Sequence, residues 1–204
     1  MVDRNTRGDR PLVIKVGGSL AETGRLASIL AIIGSARVPV VVVPGGGPFA
    51  DAVRNLQPEL QFDDAVAHRL AMLAMEQMAE FIVSQHVGMR VARSLDDISD
   101  AVMDGLIPVW APLLMIGDDE SITASWSATS DSLSARLAEI LAARLVLLKS
   151  VNVMHGATAD ELARSGAVDA LFPEIAARTN LSWTVFGPED DAALSSLLTG
   201  EGNA

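Results

Sequence analysis

Two lysines stand in this 204-residue chain against thirteen arginines, and each ends an apolar run. Lys15 closes Leu12–Leu20, LVIKVGGSL, and Lys149 closes Leu145–Asn152, LVLLKSVN. A lysine is a compact point charge and an arginine a planar fork, so this placement suggests an ammonium reserved for a crowded site. Gly17, Gly18 and Ser19 follow Lys15, and their backbone can approach a ligand closely. A second apolar run, VVVVPGGGPFAD, turns on Gly45, Gly46 and Gly47 before Pro48, a residue suited to a helix start. Three consecutive glycines are entropically expensive, and N–H groups at a helix N-terminus favour anions, phosphate above all. Asp131 falls early in a helix-like segment, where a carboxylate is favoured by the dipole alone. It could also hold two phosphate-binding ammonium groups apart and aimed. Neither glycine turn is a Walker A or a G-x-G-x-x-G pattern.

These residues need buried strands to carry them and helices to follow. Leu12–Val16 reads as the first strand, and a helical spacing runs from about Glu22 to Ala36. Val38–Val43 is a β-branched run too apolar to be half-exposed, hence a buried parallel strand. Asp63 to about Val87 is the longest helix signal, carrying Met72, Met75 and Met78. Ser94 and Asp97 have capping-box spacing, with Gly105 closing that helix and Ile107–Trp110 a short strand after it. Ser127–Ala143 opens on hydroxyl residues and reads as a well-capped amphipathic helix, followed by a strand over Arg144–Lys149. Thr158 and Glu161 suggest another capping box, Ser182–Phe186 a last strand and Pro188–Leu198 a last helix. Alternating strands and helices predict an α/β fold, a three-layer αβα sandwich around a mainly parallel sheet. In such sheets ligands bind beyond the C-terminal strand ends, where all three loops fall.

Composition narrows the function classes. Half of the residues are apolar and 20% charged, which fits a folded globule. A net charge of −11 and 4% aromatic residues argue against nucleic acid as a partner. Without cysteine there is neither a disulfide nor a thiolate metal site. His68, His86 and His155 show no metal spacing, so no protein-built metal site is expected; His68 reads as a surface or acceptor-site residue. The polar MVDRNTRGDR is not a secretory signal, and no apolar stretch suits a membrane span, so no membrane partner and the cytoplasm are the default expectation. Residues 1–10 read as a flexible leader and 11–204 as one domain. The face bearing Met72, Met75, Met78 and Ile82 exceeds the needs of a peripheral helix, predicting a homo-oligomer through it.

Taken in order, IKVGGSL, VVVPGGGPFAD, TSDSLSARLA and LLKSV resemble the amino acid kinase family from about Leu12 to Leu198. The resemblance implies an ATP-dependent small-molecule kinase using Mg2+. Its N-terminal half would bind the acceptor and its C-terminal half the nucleotide. Lys15 matches the lysine that stabilises the transferring phosphoryl group, and Asp131 the aspartate that orients it. Gly17, Gly18, Lys149, Ser150 and Val151 match nucleotide-side positions, and Gly45, Gly46 and Gly47 the acceptor loop. Two features depart from the pattern. No Gly-Gly-Met-x-x-Lys stretch follows Lys149, leaving Lys149 or an arginine such as Arg178 as the second phosphate cation. Asn152-Val153 replaces the usual Asp-Gly.

Within the family, PGGGPFAD, the AHRLAMLAMEQMA helix, SW-x-x-TSDS and VDALFPE look most like members acting on a small phosphorylated furan in methanofuran-type cofactor biosynthesis. Asp51 or Asp64 would then meet its cationic aminomethyl group. The alternatives are a non-catalytic nucleotide- or oxyanion-binding protein resembling molybdenum storage subunits, and a kinase with a carboxylate acceptor.

Overall fold

The computed structural model describes residues 11–200; the leader expected over 1–10 lies outside them. The chain runs β1 (Leu12–Val16), α1 (Ser19–Glu22), α2 (Leu26–Gly34), β2 (Val40–Pro44), α3 (Gly47–Leu60) and α4 (Asp64–Gln85). It continues through β3 (Met89–Ala92), α5 (Leu95–Met103), β4 (Ile107–Trp110), α6 (Leu113–Ile116), α7 (Ser130–Ile140) and β5 (Arg144–Leu148). The last elements are α8 (Ala159–Arg164), α9 (Phe172–Arg178), β6 (Trp183–Phe186) and α10 (Asp191–Thr199), with a 3₁₀ turn at Pro188–Asp190. The six strands form one sheet in the order β3-β4-β2-β1-β5-β6, every pair parallel. The α/β sandwich expected from the pattern is the fold observed.

Strand alternation divides the core in two and decides where the lysines go. Leu12, Ile14 and Val16 of β1 pack with Leu26, Ile29, Leu30 and Ile33 of α2 and with Leu194 and Leu198 of α10. Val13 lies on the other face, with Leu133 and Leu137 of α7 and Phe172 and Ile175 of α9. Period-two alternation therefore turns Lys15 toward α7. On β5, Leu145 and Leu147 occupy that same face, and Lys149 continues their parity. Lys15 is paired with Leu147 in the β1–β5 register, so Lys149 stands two residues further along the neighbouring strand. The sheet delivers both ammonium groups to one helix.

Several elements differ from expectation. The helix expected from about Glu22 begins only at Leu26: Glu22 ends the short α1, and Gly24 at φ +73° breaks the run before α2. The Ser127–Ala143 helix begins only at Ser130, and Thr129 at its N-cap makes no local side-chain cap. Both capping boxes are present, at Ser94 with Asp97 and at Thr158 with Glu161. Asp63 caps α4 by accepting the Val66 N–H at 2.8 Å.

The interface argument from α4 does not hold. Met72, Met75, Met78 and Ile82 are 1, 3, 3 and 0% exposed, covered by the rest of the same chain. Their apolarity serves the monomer core. An oligomer through α4 would have to use the opposite stripe, where Val66, Leu73 and Phe81 are exposed. Among the described residues no helix is long and apolar enough to cross a membrane.

Candidate active site

Lys15 and Asp131 are 6 and 4% exposed, and their Nζ and Oδ1 atoms lie 2.9 Å apart. Lys149 donates to both oxygens of the same carboxylate at 2.8 Å. One buried aspartate thus carries two ammonium groups, leaving the cluster one net positive charge. Burial alone would raise the Asp131 pKa, but Lys15 and Lys149 outweigh it and hold the carboxylate below its ordinary range. Burial, and then repulsion from Lys15, push the Lys149 pKa down to about 8, against the pull of Asp131 and Asp169.

Beside this cluster the first two glycine loops touch backbone to backbone. A Cβ on Gly18 would lie 2.4 Å from the Gly47 nitrogen, and one on Gly45 2.6 Å from the Gly18 nitrogen. Gly17 donates its N–H to the Leu148 carbonyl at 3.3 Å, tying the β1 loop to β5 as well. Ser19 and Ser150 hydroxyls meet at 2.8 Å, while Val151 is exposed. Because Gly18 opposes backbone atoms that cannot swing aside, Gly18→Ala is expected to separate the loops. Both turnover and melting temperature should fall, and unchanged values of both would show that the loops have slack.

A cavity of about 220 Å³ opens next to the glycine contact. Gly45, Gly46 and Gly47 form one wall, at the start of α3 where its amide groups favour an anion. Thr129 and Ser130, at the start of α7, form another beside Asp131. Charged groups at the cavity are Glu22, Asp51 and Arg54. The Arg54 guanidinium sits 4.4 Å over the Trp126 ring and pairs with Asp51 at 2.7 Å. Trp126 is itself fixed by its indole N–H on Gln57 at 2.6 Å. His68 also lines the cavity; burial lowers its pKa, opposed by the Ser125 and Ala128 carbonyls.

Of the residues singled out in the sequence, Lys15, Asp131 and Lys149 converge on one point. Gly17 lies against the Lys15 ammonium, and Gly18 beside it touches the Gly45–Gly47 loop. Asp51 reaches the cavity but Asp64 does not: its carboxylate accepts from Gln57 at 2.8 Å at the exposed start of α4. Arg178 is bound to Glu139 at 3.0 Å and is no partner of the lysine cluster. Lys149, rather than an arginine, stands beside Lys15. Among the described residues no group of three or more His, Cys, Asp or Glu side chains is arranged to hold a metal.

Arg54, Trp126 and Asp169 carried no individual role in the sequence reading. Arg54 lies one turn after Asp51, a spacing that signals a local pair. Trp126 was visible only as part of SW-x-x-TSDS. Asp169 sits in VDALFPE, three residues before a Phe-Pro helix start, and its Oδ1 accepts the Phe172 N–H at 3.0 Å. That spacing reads as a local cap, so its contacts with α7 had no signal.

Residues 10–164 match the model of the amino acid kinase family. The chain belongs to the amino acid kinase family. A [5-(aminomethyl)furan-3-yl]methyl phosphate kinase from Methanocaldococcus jannaschii is 24% identical over 208 residues, covering 94% of each chain. Among solved structures, a uridylate kinase from Archaeoglobus fulgidus superposes with a TM-score of 0.64 at 18% identity. The match covers 95% of this chain and 96% of that one. A UMP kinase from Ureaplasma parvum gives a TM-score of 0.64 at 15% identity, covering 93% and 94%. At those identities the two structures establish a shared fold.

The Lys149 ammonium gives this family member a pH signature. As pH rises through about 8 the free protein loses that charge, so an activity requiring it should show a falling limb of kcat/KM there. A bound triphosphate would raise the Lys149 pKa, moving the limb of kcat to higher pH. Rate profiles in both parameters check this; a flat kcat/KM between pH 7 and 9 would remove Lys149 from the reaction.

Proposed function

We propose that this protein is an ATP-dependent phosphotransferase acting on a small phosphorylated acceptor, best matched by [5-(aminomethyl)furan-3-yl]methyl phosphate. The observation that carries the reading is the pair of buried ammonium groups on Asp131, beside two glycine loops in backbone contact. Phosphoryl transfer asks a protein mainly for positioning and charge neutralisation, and this arrangement supplies both. An acceptor phosphate oxygen attacks the γ-phosphorus of ATP. The bond from that phosphorus to the β–γ bridging oxygen breaks, giving ADP and the acceptor diphosphate. Lys15 and Lys149 neutralise the oxygens whose charge redistributes, and Asp131 keeps them aimed. A phosphate oxygen is already anionic, so no general base is needed, and Asp131 is free to serve the lysines alone.

Magnesium would enter with the nucleotide and would supply further charge neutralisation, since no cluster of three or more His, Cys, Asp or Glu among the described residues is arranged to hold it. The acceptor cavity fits a compact molecule of mixed charge. Its phosphate would lie on Gly45, Gly46 and Gly47 near Arg54, and its aminomethyl cation near Asp51 or Glu22. The alternative of a non-catalytic oxyanion-binding protein arose from the missing Gly-Gly-Met-x-x-Lys lysine. With Lys149 already beside Lys15, that motive weakens. A panel of acceptors with ATP and Mg2+ tests the proposal: the furan phosphate, its unphosphorylated alcohol, UMP and a carboxylate amino acid. Diphosphate formation from the furan phosphate at the highest kcat/KM is expected. Preference for UMP or the carboxylate would overturn the acceptor assignment.

A further inference from the structure

We propose that Asp169 is a positioning residue for the lysine pair, holding the first turn of α7 from the loop between α8 and α9. The inference rests on the phosphotransfer reading for its consequence in turnover, but on geometry for its existence. Asp169 Oδ2 accepts the Thr129 N–H and hydroxyl at 2.8 Å each and the Ser132 N–H at 3.0 Å. Oδ1 accepts the Ser132 hydroxyl and the Phe172 N–H. Five donors therefore converge on one half-buried residue, and both oxygens are fully used.

A helix beginning Thr-Ser-Asp-Ser has hydroxyls enough to cap itself. Here it does not: Thr129 makes no cap within α7, and its hydroxyl is spent on Asp169. The amides at the cap position and at the third helical residue are both held by a carboxylate 37 to 40 residues away. Asp131 lies between those two anchored amides, so the turn that carries it cannot rotate without breaking them. Thr129 and Ser130 on the same turn wall the acceptor cavity. One clamp thus sets both the height of Asp131 between the lysines and the edge of the acceptor space. Asp169 makes no ion pair with either lysine and acts through the helix. It also lies beyond residues 10–164, the stretch the family model matches.

Asparagine at position 169 would keep the shape but replace one acceptor oxygen with an N–H₂ facing N–H or O–H donors. Asp169→Asn should therefore lower kcat about 10-fold or more, with smaller changes in both KM values. If Asp169 acts through Asp131, the double variant D131N/D169N should be no slower than D131N alone; independent, multiplying losses would overturn the inference.

A second readout does not depend on catalysis. Because the chain has two lysines, protein labelled with 13C at the lysine ε-carbon gives two resonances, and their titration can be followed directly. The groups facing Lys149 are Lys15 on β1, Asp131 on α7 and Asp169 on its loop. Asp169→Asn should move the Lys149 midpoint to lower pH, because it removes a charge that favours the ammonium. A lowered melting temperature with unchanged kcat and an unchanged Lys149 midpoint would make Asp169 a plain helix cap. The lost charge alone could move that midpoint, so Thr129→Val and Ser132→Ala, which each remove one hydroxyl donor and leave the charge in place, isolate the effect of the helix. Both should shift the same resonance, and no shift in either would again overturn the inference. A native protein that transfers no phosphoryl group, yet shows the lysine shift, would defeat the proposed function and leave the role of Asp169 standing.

Discussion

Lys15→Ala is expected to lower turnover by about 100-fold or more while the fold survives, if the proposed role of its charge in the transition state holds. Lys15 is the more buried of the two ammonium groups, on one of the two central strands of the sheet and paired with Asp131 of α7. Lys15→Arg should fail as well. A guanidinium is larger and planar, and the Lys15 side chain is buried against Asp131. Steady-state kinetics with a thermal melt measure both variants. Near-native turnover in Lys15→Ala would reduce the residue to a strand-end lysine paired with an aspartate.

Asp131→Asn is expected to separate two roles that its position alone cannot. A bare carboxylate facing a triphosphate repels it, so losing that charge should leave nucleotide affinity unchanged or improved. Turnover should fall by roughly 100-fold, because the two ammonium groups would lose their shared anion and repel each other. Lys149, already depressed by burial and by Lys15, would lose the Asp131 charge that supports its protonation. A residue present only to start α7 behaves otherwise, since asparagine serves a helix N-terminus almost as well as aspartate. Nucleotide titration beside turnover and melting temperature distinguishes the cases: full activity would take Asp131 out of the site.

The lysine–aspartate cluster was legible because it depends on local regularities. Period-two alternation places Lys15 with Val13 and Lys149 with Leu145 and Leu147, and parallel strands present those faces to one helix. The glycine loops were legible for a similar reason. Three glycines after a buried strand have few uses, and the contact of Gly18 with Gly47 is one of them. The α/β pattern followed from apolar runs separated by helical spacings. Met89–Ala92, MRVA, escaped notice because an edge strand of four residues has almost no period of its own. Leu113–Ile116 and Phe172–Arg178 are short helices set by packing rather than by propensity.

What could not be read was long-range. The methionines of α4 form an apolar stripe whichever surface covers it, and periodicity does not say whether that surface belongs to the same chain. Asp169 reads locally as the start of α9, while three of its five hydrogen-bond donors lie on Thr129 and the Ser132 backbone. Arg54 over Trp126 joins residues from α3 and from the segment before α7, which no local spacing connects.

In the proposed function, Lys15, Asp131 and Lys149 form a phosphoryl-transfer centre for an anionic phosphate acceptor. Phosphorus NMR of the purified protein with ATP, Mg2+ and [5-(aminomethyl)furan-3-yl]methyl phosphate tests it most directly. The acceptor's monophosphate signal should be replaced by the coupled pair of signals of its diphosphate, with one ADP formed per diphosphate. ATP left intact, or ADP released with inorganic phosphate and no diphosphate, would contradict it.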